Sequence, residues 1–226
     1  MRSKLLFLIM LLAVTTSCKK TTNVDVELST SGKLTYKLTD DAGKGLPNVA
    51  VSLFDRQGYY NSDVLLDKQV TDANGQVDFG DLNPSNYMLV ADSAKVNNVS
   101  YNVQEWVQVI TGSVKEKATK VTDFSGTLTV RVYSNNNNQP LKNIGILIIP
   151  SNKYNYSSPT SSHLKNADFS GLTNDAGLAT FKIPSNKDYT VYLYNTVTNA
   201  QYNHNYNYLS IQKGSTIDHF INVYQP

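Results

Sequence analysis

The chain repeats itself. Gly32-Lys-Leu-Thr returns as Gly126-Thr-Leu-Thr 94 residues later, and Leu46 and Asn48 return as Leu141 and Asn143 at an offset of 95. From Thr71 the offset is 102, and it holds: Thr71/Thr173, Gly75/Gly177, Phe79/Phe181, Tyr87/Tyr189, Gly112/Gly214, Ser113/Ser215 and Val121/Val223. A constant offset over that span means one structural unit written twice. The step of seven between the last two registers locates an insertion in the second copy, in "PSNKYNYSSPTSSHLKN", Pro150 to Asn166. Each copy is long enough for the core of a small sandwich.

The unit reads as strands. "KLTYKLT" puts Leu34, Tyr36 and Leu38 on one face, and "NVAVSLF" puts Val49, Val51 and Leu53 on one face. "GQVDF" offers Val77 and Phe79, and "NYMLVAD" offers Tyr87, Leu89 and Ala91. Period-two alternation between Gly, Pro, Asn and Asp clusters signals half-buried antiparallel strands. Helical periodicity is absent, and the many Thr, Val and Tyr residues suit a pleated sheet. The fold class is all-β: two tandem seven-stranded Greek-key β-sandwiches of transthyretin-like or immunoglobulin-like type. The expected domains are 31–122 and 125–226, joined by "TDFS", Thr122 to Ser125. So short a linker restricts relative motion and favours an elongated pair.

The phrases "TDANGQVDF" (Thr71–Phe79) and "TNDAGLATF" (Thr173–Phe181) raise a choice between chemistry and architecture. As a calcium loop the first fails: Asp72, Asn74 and Asp78 alternate suitably, but the twelfth position holds Asn83 instead of a bidentate acid. The second has Asn174, Ala176 and Thr180 in those places. As a turn both succeed, with Gly75 and Gly177 left-handed and Asp72 and Asn174 bracing the backbone.

The N-terminus carries an address. Arg2 and Lys4 precede an apolar run from Leu5 to Val14, followed by Thr15, Thr16 and Ser17. This is the composition of a secretory signal peptide, residues 1–17, followed by a polar tether, 18–30. Ten apolar residues rise about 15 Å as a helix, half of a roughly 30 Å bilayer core. The only cysteine, Cys18, follows the small residues directly. This placement resembles the lipobox of bacterial lipoproteins, although Thr15 stands where those proteins usually have Leu. The resemblance implies lipidation of Cys18 and, since no Asp follows it, location at the outer membrane, with either face possible. Removing 1–17 leaves 18 basic and 18 acidic residues. A neutral chain has no field for nucleic acid. One cysteine allows no internal disulfide, so each unit rests on its own core.

Strand, then "DDAGKGLPNVAVSLF", then "TDANGQVDFGDLNPSNYMLV" resembles the carboxypeptidase-regulatory-like domain, a transthyretin-like (prealbumin-like) sandwich related to Cna-B modules of surface adhesins. The second copy matches at "PLKNIGILI", "TNDAGLATF" and "KDYTVYL". The resemblance covers nearly all of the chain after the tether and specifies fold better than function. Many Cna-B modules form a Lys–Asn isopeptide bond assisted by an acid four residues after a Tyr. Lys37 holds the lysine place in the first copy and Arg131 in the second, but the acid places hold Ala91 and Leu193. No isopeptide bond is expected.

Catalytic motifs are missing. His163, His204 and His219 are not at ligand spacing, and no nucleophile elbow, H-E-x-x-H or P-loop occurs. No enzyme, metal or cofactor is expected. The candidate ligand-binding residues are aromatic. With Tyr189, Val191 and Leu193 inward, Tyr192 and Tyr194 should face outward. With Leu209 and Ile211 inward, Tyr206 and Tyr208 should do the same. Trp106 is the first copy's equivalent of Tyr208, the insertion adds Tyr154 and Tyr156, and "TNAQYNHNYNY" surrounds them with Asn. Outward aromatics can stack on sugar rings, or they can stabilise a sheet or lie under the insertion. The expected function is a non-catalytic, lipid-anchored envelope protein that binds or scaffolds. Two alternatives stand beside it: a glycan-binding lipoprotein using these aromatics, and an adhesin or assembly partner acting through a sheet edge. The expected partners are the membrane, through the lipid, and a glycan or envelope protein.

Overall fold

The computed structural model describes residues 30–57, 62–202 and 208–224. Cys18, the signal segment and Tyr206 lie outside these residues. The first copy supplies β1 (Gly32–Thr39), β2 (Ala50–Gln57), β3 (Ser62–Val70), β4 (Gln76–Leu82), β5 (Ser85–Val96), β6 (Val99–Val109) and β7 (Val114–Lys120). The second supplies β8 (Ser125–Ser134), β9 (Ile144–Pro150), β10 (Phe169–Leu172), β11 (Leu178–Pro184), β12 (Asp188–Asn195), β13 (Tyr208–Ser210) and β14 (Thr216–Val223). The fold is all-β, as expected.

The two copies pair their strands in the same way. The sheets of the first run β4-β1-β7 and β3-β2-β5-β6, and those of the second run β11-β8-β14 and β10-β9-β12-β13. The pairs β1/β7 and β8/β14 are parallel, and every other pair is antiparallel. The alternating residues land where the period puts them: Leu34, Tyr36, Leu38, Val51, Leu53, Leu89 and Ala91 are wholly buried in the first core. Leu128, Val130, Val132, Ile146, Ile148, Tyr189, Val191 and Leu193 do the same in the second.

The twice-written phrase is architecture. Gly75 and Gly177 have φ of +77° and +71°. Asp72 Oδ1 accepts the amides of Asn74 and Gln76, each at 2.8 Å, and the Gln76 bond leads in holding the Asp72 carboxyl below its ordinary range. Asn174 Oδ1 accepts the amides of Ala176 and Leu178, each at 3.0 Å. Both turns are Asx-braced, and glycine is required because a Cβ on Gly75 would lie 2.4 Å from the Leu38 carbonyl oxygen.

Two features depart from expectation. The connector is packed. A 3-10 turn, Val121–Asp123, leads to Phe124, which is 1% exposed and belongs to the first core. The Phe124 carbonyl accepts the Ser185 amide of the second copy at 2.8 Å, and Lys213 Nζ stands 3.6 Å above the Phe124 ring. The chain also contains a helix, α1 (Thr160–Asn166), inside the insertion. It starts after Pro159, and two turns are too short to print a period.

Candidate functional site

The insertion builds the site. Strand β9 reads "IGILIIP", and all seven of its residues are buried, whereas Ala50, Phe54 and Asp55 of its counterpart β2 are only half-buried. A continuous apolar run marks a strand covered on both faces. Ile144, Ile146 and Ile148 belong to the sandwich core, while Leu147 and Ile149 form a separate cluster with Tyr192 on the outer face. On β12, Tyr192 lies in register with Leu147, Thr190 with Ile149, and Tyr194 with Gly145. Tyr208 of β13 lies opposite Thr190, as Trp106 of β6 lies opposite Met88.

Tyr192 is the main correction. Its side chain does point away from the sandwich core, but it is 1% exposed because the insertion covers it. Its hydroxyl donates to Thr160 Oγ1 at 2.7 Å, and Thr160 donates to the Asn199 carbonyl at 2.7 Å. The His163 ring is tilted over Tyr192 at 4.5 Å between centroids and stacked on Tyr154 at 5.1 Å. Tyr192 therefore offers no face to a ligand while the cover is in place. Tyr194 is half-buried, with its ring over Gly145.

Four of the seven candidate aromatics converge. Tyr154 is the hub: burial, then the phenols of Tyr192, Tyr156 and Tyr208, push its hydroxyl up to about 12. Tyr156 and Tyr208 are 65% and 69% exposed and form the open part of the cluster. Trp106 is outward and 48% exposed, but it stands on the first copy. Tyr206 lies outside the described residues.

The root of the insertion meets the first copy. An open cleft of about 410 Å³ lies between Ser93, Ser100 and Asn102 on one side and Ser151, Asn152, Lys153, Asn186, Lys187 and Asp188 on the other. Beside it, the Asp168 carboxylate, its side chain 4% exposed, binds Lys187 Nζ at 2.8 Å and Lys153 Nζ at 3.2 Å. Asn102 Nδ2 donates to the Asn186 carbonyl across the cleft at 3.3 Å. Sequence reasoning did not find this polar seam, whose residues are scattered across five strands and turns.

Acids near cores are engaged in structure. Glu105 accepts from the Tyr36 hydroxyl at 2.8 Å and from Thr119, and pairs with Lys117 at 3.0 Å. Burial, then the Glu105 charge, drives the Tyr36 hydroxyl far above its usual range. Among the described residues no three His, Cys, Asp or Glu side chains gather as a metal site, and no helix is long and apolar enough to cross a membrane.

No family model and no curated protein matches this sequence. Solved structures to which this chain is similar include the Bacillus anthracis TIE protein, at 20% identity over 86% of this chain and a TM-score of 0.39. This chain spans 34% of that protein's length. The minor pilin GBS52 of Streptococcus agalactiae is similar at 15% identity over 87% of this chain and 97% of its own, with a TM-score of 0.41. A streptococcal ancillary pilin is similar at 12% identity over 87% and 63%, with a TM-score of 0.35. The all-β fold stands on the strand pairing described above.

Proposed function

We propose that this chain is a non-catalytic envelope protein that acts as a stiff binding or scaffolding module, with domains at 31–122 and 125–226 of carboxypeptidase-regulatory-like, transthyretin-like type. It is anchored through a lipid on Cys18 and sits at the outer membrane. The observation that carries the scaffold reading is the packed connector. Phe124 belongs to the first core and its carbonyl accepts from the second copy, so the two units are held as one spacer. Strand β3 is the expected partner contact. It is an outer strand whose Val64, Leu65, Leu66 and Val70 are exposed, and such an edge can take another strand.

Two experiments test this reading. Cys18→Ala is expected to move the protein from the membrane to the soluble fraction; retention at the membrane would refute the lipid anchor. Pull-down from envelope extracts is expected to recover a defined partner that is lost on Leu65→Lys with Leu66→Lys. Recovery unchanged by that pair of substitutions would refute the edge.

A second reading is glycan binding, favoured by the convergence of Tyr154, Tyr156 and Tyr208. Flat rings with hydrogen-bonding rims suit the apolar faces of sugars. Glycan-array binding that disappears on Tyr156→Ala with Tyr208→Ala would support it, and no binding to any glycan would sink it.

A further inference from the structure

His163 is wholly buried, and neither ring nitrogen makes a hydrogen bond of normal geometry. The two rings in contact with it, Tyr154 and Tyr192, are uncharged at neutral pH. Tyr154 stacks on the ring and Tyr192 of β12 is tilted against it. Strand β9 brings Leu147 and Ile149 to this side of the sheet, and α1 itself brings Thr160. The charged groups nearby are committed elsewhere: Lys165 is exposed, and Lys153 and Lys187 share Asp168. Burial dominates the titration of His163 and lowers its pKa, with the Ser158 carbonyl opposing. The stacked Tyr154 ring would soften a charge on the imidazole without reversing this direction.

The imidazole is also a keystone. The insertion touches the outer face through the His163 stack, Tyr154 packed on the Leu147–Ile149–Tyr192 cluster, the Tyr192–Thr160–Asn199 chain and the exposed-side Lys153–Asp168 ion pair, while the Asn166 amide donates to the Lys153 carbonyl within the insertion at 3.1 Å. The sandwich core beneath uses none of these groups. The insertion can therefore lift while the seven strands stay paired.

We propose that Pro150–Asn166 is an acid-released cover: a proton on His163 frees α1 from the sheet and uncovers Tyr192, Leu147 and Ile149. The inference is independent of which ligand the aromatic face takes. The closed state holds the ring neutral, and the open state lets it titrate at its ordinary value of about 6.5. Closure is complete above that value and weakens as pH falls below it, by up to about tenfold per pH unit, until the closed-state pKa is reached.

Amide hydrogen exchange on the mature chain, corrected for the intrinsic pH dependence of exchange, tests this. Amides of 154–166 are expected to lose protection by up to about tenfold per unit below pH 6.5, while Leu128–Val132 of β8 keep theirs. The loss should persist in His219→Gln and vanish in His163→Phe. A flat profile in the wild type, or an equal loss in His163→Phe, overturns the proposal. Should His163→Phe fail to fold, the ring titration of His163 in the wild type by NMR decides: a pKa below 6.5 supports the cover, and one at or above 6.5 overturns it.

Discussion

Thr173 stands to Leu141 as Thr71 stands to Leu46. Each hydroxyl donates to the leucine carbonyl at 2.6 Å and accepts a backbone amide, from Ile144 at the start of β9 at 3.0 Å or from Val49 just before β2 at 2.9 Å. Asn48 and Asn143 sit beside them, both left-handed, with φ of +60° and +57°. The repeat is thus kept at the level of single hydrogen bonds, and both threonines are almost wholly buried. Thr71→Val or Thr173→Val keeps the shape and strands a buried amide and carbonyl. Each is expected to lower stability by about 1–3 kcal/mol, read from the denaturant midpoint. A change within experimental error would show that water takes over both bonds.

Gly145 faces Tyr194 across β9 and β12, and a Cβ there would lie 2.3 Å from a Tyr194 ring carbon. Gly145→Ala is expected to displace the ring and cost about 1–3 kcal/mol through overpacking. Adding Tyr194→Ala should recover most of the loss. A double-mutant cycle with no coupling would contradict the contact.

Asp168 distinguishes two ion pairs that share one carboxylate. The Lys187 side chain is 18% exposed and that of Lys153 is 50% exposed. Asp168→Ala leaves Lys187 largely buried without its partner and is expected to cost about 3–5 kcal/mol. Lys153→Ala removes a half-exposed pair and should cost under about 1 kcal/mol. Equal losses in thermal or denaturant melts would refute this ranking.

Lys37 lies between the buried Tyr36 and Leu38 and so points away from the core, beside Gln76 and Glu116. The intact mass of the folded chain is therefore expected to show no loss of ammonia. A deficit of one ammonia would establish an internal amide bond and overturn the reading of that lysine.

The parts of the fold with one wet face were legible. In "KLTYKLT" the period puts Leu34, Tyr36 and Leu38 inside, and they are inside, because a half-buried strand prints its two faces as alternation. Tyr192 shows where that logic stops. Period two told its face correctly but could not say what lay above it. The signal was present in "IGILIIP", where Leu147 and Ile149 spoil the alternation that an exposed outer face would require. The Glu105–Tyr36 pair was not legible, because 69 residues separate the partners and only folding brings β6 onto β1. Phe124 was read as linker because a tetrapeptide shows no period at all.

In each copy the first and last strands run side by side in the same direction, β1 with β7 and β8 with β14. A tether pulling at the start of β1 against a load at the end of β14 would draw each such pair lengthwise. The evenly spaced rungs of a parallel ladder would then strain together instead of opening one after another. The topology that closes each sandwich thus sets its end strands to resist such a pull in shear.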